Sequence, residues 1–251
     1  MLNYLHNSIV FLIVISLIII FLILIRYYIK KARLRPDIMI GNAQTVGRRK
    51  EQEDHYSTLY TQNGLMAVLA DGMGGYTNGK VASNTAVSAF IREFSKAGDL
   101  HSMEDFFKKA SRAGNREILE RCKGSKSGTT VVAVVISDGN LYWTSVGDSA
   151  IVLFRKGEFI NLNKKHTFEN VLEEKYLSGG ITEEEIKNNA KKKMLTNYLG
   201  HTGFSEIETG RDAIKMRPGD KVILCSDGVY NSISELELER ILSRKLPPSK
   251  A

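Results

Sequence analysis

Three apolar runs in this chain end on an aspartate followed by a small residue. Leu65–Ala70 leads into Asp71-Gly72, Leu141–Gly147 into Asp148-Ser149, and Val222–Ser226 into Asp227-Gly228. Each run has the length and composition of a β-strand. A fourth acidic step, Glu53-Asp54, precedes the first of them. Carboxylates delivered at strand ends, with Gly beside them for tight turns, suit a hard-cation site. If they converge, two of them ~5 Å apart repel by about 3 kcal/mol at an effective dielectric of ~20. Such a site needs protons, basic partners or metal. Asp and Gly carbonyl oxygens suit Mg2+ or Mn2+, whereas zinc prefers His and Cys. His6, His55, His101, His166 and His201 show no zinc spacing such as H-E-x-x-H. The pattern points to a metal-activated water, and so to a hydrolase. A single Asp-Gly is only a turn, and Asp138-Gly139, between two apolar runs, reads as a hairpin.

Charge is unevenly spread. The net charge is +7 over 251 residues, but Arg26, Lys30, Lys31, Arg33 and Arg35 supply most of it, with no acid among residues 1–35. The rest is nearly neutral, which argues against binding nucleic acid through counterion release. Just before the basic cluster, Ile9–Ile25 is apolar except for Ser16. That is about 26 Å of helix, near the lower limit for crossing a bilayer. The start carries no Lys or Arg and no small-residue cleavage site follows, unlike a signal peptide. The expectation is one uncleaved transmembrane helix, with a basic juxtamembrane linker over Arg26–Pro36 and the rest cytoplasmic by the positive-inside bias. The division is an anchor and linker at 1–35 and one domain at 36–251. Cys122 and Cys225 are isolated, so neither zinc nor a disulfide framework is indicated.

Beyond the anchor, strands and helices are segregated, which indicates α+β. Ile38–Val46 and His55–Thr61 alternate loosely as strands. Asn78–Ala97 and Met103–Cys122 have helical period. Thr129–Ile136, Leu141–Gly147, Ala150–Arg155 and Phe159–Leu162 read as successive antiparallel strands. Asn163–Phe204 is polar and weakly periodic, with a T-x-x-E capping pattern at Thr182 and Glu185. Lys191-Lys192-Lys193 reads most simply as a solvated surface, with an acidic or phosphorylated partner as the alternative. A turn at Arg217–Asp220 precedes the last strand, and a helix follows near Ile233–Leu242. Gly74-x-x-x-x-Gly79-Lys80 falls short of a phosphate-binding P-loop because Val81 replaces Ser or Thr.

Taken in order, the motifs are Arg49-x-x-x-Glu53-Asp54, Ala70-Asp71-Gly72-Met73-Gly74-Gly75, Gly128-Thr129-Thr130, Val146-Gly147-Asp148-Ser149 and Cys225-Ser226-Asp227-Gly228. This order and spacing resemble the protein phosphatase 2C family of metal-dependent protein phosphatases, from about Ile40 to Leu242. Gly179–Glu185, continuing to Leu195–Gly200, is similar to the flap of its bacterial members.

The resemblance implies two stacked antiparallel β-sheets flanked by helices, an αββα sandwich, with two Mn2+ or Mg2+ ions at one end. It implies Asp71, the Gly72 carbonyl, Asp227 and Asp54 as metal ligands, with Glu53 orienting water. Arg49 would hold the substrate phosphate, a role its bidentate donors suit. Asp148, with Asn231 four residues after Asp227, would hold a third ion. The implied activity is hydrolysis of phosphoserine and phosphothreonine in proteins, opposite a Ser/Thr kinase, at the membrane and by default as a monomer. Three positions depart from the family: Gln52 before the acidic pair, the uncharged Asn231, and the absence of an Asp-Asn pair after Asp227. The last removes one expected ligand and carries the alternative, a phosphatase-like module that binds phosphoproteins with little or no turnover.

Overall fold

The computed structural model describes residues 2–33, 38–47, 51–74, 77–244 and 246–248. In chain order the elements are α1 (Leu2–Arg33), β1 (Asp54–Thr61), β2 (Gly64–Met73), α2 (Thr77–Lys96), α3 (Met103–Arg121), β3 (Gly128–Thr129), β4 (Val131–Ser137), β5 (Asn140–Val146), β6 (Ala150–Arg155), β7 (Glu158–Asn161), α4 (Phe168–Leu177), α5 (Glu183–Lys187), β8 (Glu208–Thr209), β9 (Ile214–Lys215), β10 (Lys221–Cys225), α6 (Asp227–Tyr230) and α7 (Glu235–Ser243). They form two compact units, Met1–Met39 and Ile40–Ala251.

In the first unit, α1 continues through Arg33, so most of the expected linker is helix. The side chains described in α1, Phe11 to Tyr27, are exposed. Among the described residues no helix is long and apolar enough to cross a membrane. The transmembrane helix expected over Ile9–Ile25 is therefore not shown.

The second unit is α+β. One antiparallel sheet runs β1-β2-β4-β5-β8, with β3 on β2 and β9 on β5; the other runs β10-β6-β7. Alternation along β4 shows the layering. Val131, Ala133 and Val135 enter the core with α2 and α3, among Phe90, Phe94, Phe106 and Phe107. Val132 and Val134 enter a second core with Ile151, Val222 and Leu224 of the other sheet. A strand buried on both faces reads as one unbroken apolar run. Helix α3 starts at Ser102, whose hydroxyl accepts from Asp105 N at 3.2 Å, with Glu104 and Asp105 in the first turn, where the helix dipole favours acids.

The capping box at Thr182 and Glu185 is formed, and Ser234 with Glu237 makes another at α7. No residue of α7 is buried, and Leu236 is 58% exposed. Asp138-Gly139 is the expected hairpin turn, with both residues at positive φ and Ser137 facing Asn140.

Three elements differ from expectation. Residues 38–46 are not a strand: no partner strand flanks them among the described residues, and isolated contacts tether them instead. Gln44 donates to Asp54 O, Tyr56 donates to Asn42 Oδ1, and Gly41 lies against Pro248. The strand expected over Thr129–Ile136 is interrupted at Thr130, whose N–H goes to Asp71 O at 2.9 Å. Finally, β2 does not stop at Asp71. It continues to Met73 because Asp71 has Asp54 opposite it in β1, and Gly72 pairs with Thr129 in β3.

Candidate active site

Ala67 and Leu69 of β2 face the core between the two sheets. Period two puts Asp71 on that same face. Asp54 and Asp71 are direct partners in the β1–β2 register, so their side chains share the face at the end of the ladder. The second sheet meets them there. Ser226, just past β10, donates from Oγ to Asp54 Oδ2 at 2.9 Å, and Gln52 Nε2 reaches the same oxygen at 3.4 Å.

The remaining two aspartates arrive by one pairing. Cys225 of β10 faces Ala150 of β6, so Asp227 and Asp148 leave the same end of adjacent strands. Burial raises the pKa of the Asp148 carboxyl, Asp227 raises it further, and Lys165 opposes both. Tyr230 closes this side: its hydroxyl donates to Asp148 O at 3.2 Å. Burial, then Asp148 and Asp227, push its phenol upward.

Backbone clamps hold the cluster. Asp71 N donates to Thr130 Oγ1 at 3.1 Å, and Thr129 Oγ1 donates to Asp71 O at 2.8 Å. Thr130 and Ser149 hydroxyls lie 2.7 Å apart. Gly147 has φ +101°, and a Cβ there would stand 2.6 Å from Thr130 Cγ2. Its N–H donates to His166 Nδ1 at 3.2 Å, and His166 N donates back to Gly147 O at 2.8 Å. His166 Nε2 in turn faces Glu208 at 3.5 Å. Burial pushes the Glu208 carboxyl up, but His166, the Lys164 N–H and Ser145 outweigh it and hold it below its ordinary value.

Glu53 sits behind Asp54. Its backbone carbonyl accepts from Gly72 N and Ser83 Oγ. Among the described residues its buried Oε1 has no hydrogen-bond partner; it lies against Gly79 of α2, where a Cβ would collide with it. This contact explains Gly79. Arg49 lies outside the described residues. Asn231 caps α6, and its amide approaches Asp227 Oδ2 at 3.5 Å. Cys225 is buried, and burial pushes its thiol up to about 11.

These donors are carboxylate and carbonyl oxygens, which fit Mg2+ or Mn2+, and Glu53, one residue before Asp54, adds a buried Oε1 with no hydrogen-bond partner among the described residues. Among the described residues no three His, Cys, Asp or Glu groups close on one point. The aspartates come as two couples, Asp54 with Asp71 and Asp148 with Asp227. A cation here would complete its shell from backbone oxygen and water, as Mg2+ commonly does.

The motifs placed Asp54, Asp71, Asp148 and Asp227 at one end. The parts played by Ser226, His166, Glu208, Tyr230 and Lys165 had no local signal.

A family model described as Protein phosphatase 2C matches residues 45–248. The chain is 30% identical over 205 residues to the serine/threonine phosphatase stp of Listeria monocytogenes, covering 78% of this chain and 79% of that protein. It is similar to the S. agalactiae serine/threonine phosphatase structure, with TM-score 0.72, 26% identity and coverage of 84% and 87%. It also resembles the catalytic domain of the serine threonine protein phosphatase PstP in complex with 2 manganese ions, with TM-score 0.61, 26% identity and coverage of 84% and 83%.

Proposed function

We propose that this chain, which belongs to the protein phosphatase 2C family, is a metal-dependent protein serine/threonine phosphatase. The observation that carries the reading is the meeting of Asp54 and Asp71 on one ladder with Ser226-Asp227 from the other sheet. Asp54, Asp71, Asp227 and the Gly72 carbonyl would hold two Mn2+ or Mg2+ ions, and Asp148 with Asn231 a third. Bound ions supply water acidified enough to attack phosphorus near neutral pH. Glu53 Oε1, an acceptor with no partner among the described residues, can take a hydrogen bond from water. Arg49 would offer planar guanidinium donors to the phosphoryl oxygens. The raised thiol of Cys225 holds no nucleophilic thiolate at neutral pH. Phosphorylated proteins made by a Ser/Thr kinase would be the substrates.

The same proposal attaches the chain to a membrane by α1, with the phosphatase unit on the cytoplasmic side. The exposed apolar residues Phe11–Ile25 and the basic residues that follow support it. Fractionation checks it: the chain should stay with membranes after an alkaline carbonate wash, and recovery in the wash would overturn attachment.

A second reading, a phosphoprotein-binding module with weak turnover, draws on the absence of a three-ligand group among the described residues. The two are separated by phosphate release from a phosphothreonine peptide, using the full chain in detergent. Release abolished by EDTA and restored by Mn2+ supports the enzyme. A folded sample that binds the peptide without release supports the module.

A further inference from the structure

We propose that Lys165 is a second cationic contact for the phosphoryl group of the substrate, held in place by the ring of Tyr230. The inference rests on the phosphatase reading above and adds a residue that no motif singled out.

Lys165 Nζ stands 3.6 Å from the centroid of the Tyr230 ring, within cation–π range. Tyr230 is the last residue of α6, the short helix that begins at Asp227, and its hydroxyl donates to Asp148 O. The ring thus ties the two loops that carry Asp148 and Asp227, and it brings the ammonium to their rim.

The backbone at Lys165 is fixed as well. The next residue, His166, is doubly hydrogen-bonded to Gly147, one residue before Asp148. Asn170 Nδ2 donates to the Lys165 carbonyl. Yet the charge is not consumed. Lys165 is exposed and makes no ion pair among the described residues, whereas Lys164 turns to Glu174 at 3.9 Å. An unanchored surface lysine would sweep a wide volume; this one is held over the Tyr230 ring and open to solvent.

A phosphate ester arriving as a dianion is drawn by positive charge at the rim of the loops that carry Asp148 and Asp227. A fixed ammonium there favours the approach. Lysine serves as a compact point charge, which attracts a phosphoryl group without demanding bidentate geometry.

The test compares Lys165→Gln, Lys165→Arg and the unchanged full chain in detergent at saturating Mn2+. Substrates are a phosphothreonine peptide and p-nitrophenyl phosphate, and Mn2+ affinity is measured by calorimetry. In Lys165→Gln, KM should rise about tenfold for both substrates, a loss of ~1.4 kcal/mol in binding. Turnover at saturation and Mn2+ affinity should stay close to the unchanged chain, and Lys165→Arg should restore most of the KM. An unmoved KM overturns the proposal. So does a rise confined to the peptide, which would place the contact on a flanking acid, or a parallel fall in Mn2+ affinity. If the unchanged chain shows no Mn2+-dependent turnover, the phosphatase reading itself fails and this inference falls with it. Intact turnover with an unmoved KM sinks Lys165 alone.

Discussion

Ser226 donates a 2.9 Å hydrogen bond from Oγ to Asp54 Oδ2, joining the second sheet to the first where the acidic residues gather. Two elements far apart in the chain thereby aim one carboxylate. Because Ser226 follows directly on β10 and Asp54 opens β1, small movements between the sheets would be felt at that oxygen.

Ser226→Ala should therefore weaken the site more than the fold. A hydrogen bond to a charged acceptor contributes about 1.5–3 kcal/mol, or roughly tenfold or more in kcat/KM. Kinetics at fixed Mn2+, beside a thermal melt, check this. An unchanged kcat/KM would show that Asp54 is oriented without Ser226.

Gly79→Ala separates stability from chemistry in the other direction. The new Cβ would enter the space of Glu53 Oε1 and stand 3.1 Å from the backbone carbonyl carbon of Gly72, so the Glu53 side chain has to shift. The melting temperature should hold within a few degrees, while turnover falls by about tenfold or more through displacement of Glu53. A collapse in melting temperature with normal turnover of the folded fraction would contradict this role for Glu53.

Gly147→Ala should do the opposite. Its φ of +101° and the 2.6 Å approach of a Cβ to Thr130 Cγ2 both oppose a side chain. Backbone strain of this kind costs about 1–3 kcal/mol. Equilibrium denaturation should show the loss, and full stability would mean that the loop before Asp148 can relax freely.

The sequence made some of this plain and hid the rest for physical reasons. Asp71 and Asp227 stood out because apolar strands ended beside them, and β4 was legible because burial on both faces leaves an unbroken run. The capping pair Thr182 and Glu185 and the turn Asp138-Gly139 are local, so short spacing was enough. Residues 38–46 alternate like a strand, but alternation without a neighbour to pair with makes none. Four-residue α6 and two-residue β8 and β9 are too short to carry a period. Ser226, His166 and Lys165 act through contacts made only when distant segments meet, and Tyr230 only once α6 turns toward Asp148. Their residue types alone announce nothing.

Asp220 predicts a pH dependence. Arg155 donates to both its oxygens, at 2.9 and 2.6 Å, and this holds its carboxyl below the ordinary 3.8. A depressed carboxyl contributes stability above its unfolded pKa and loses it as pH falls through the folded one. The melting temperature of Asp220→Asn should lie below that of the unchanged chain at pH 7. The gap should shrink only as pH drops below 3.8. A gap that closes already between pH 7 and 5 would point to another group.

We propose that Asp71 stands at the heart of a metal-dependent phosphatase site. This is tested most directly by comparing Asp71→Asn with the unchanged full chain for Mn2+ binding by calorimetry and for phosphate release from a phosphothreonine peptide. The account predicts Mn2+ binding and Mn2+-dependent release in the unchanged chain, and loss of both in a variant that remains folded. Release that persists in Asp71→Asn, or that proceeds equally in EDTA, would contradict it.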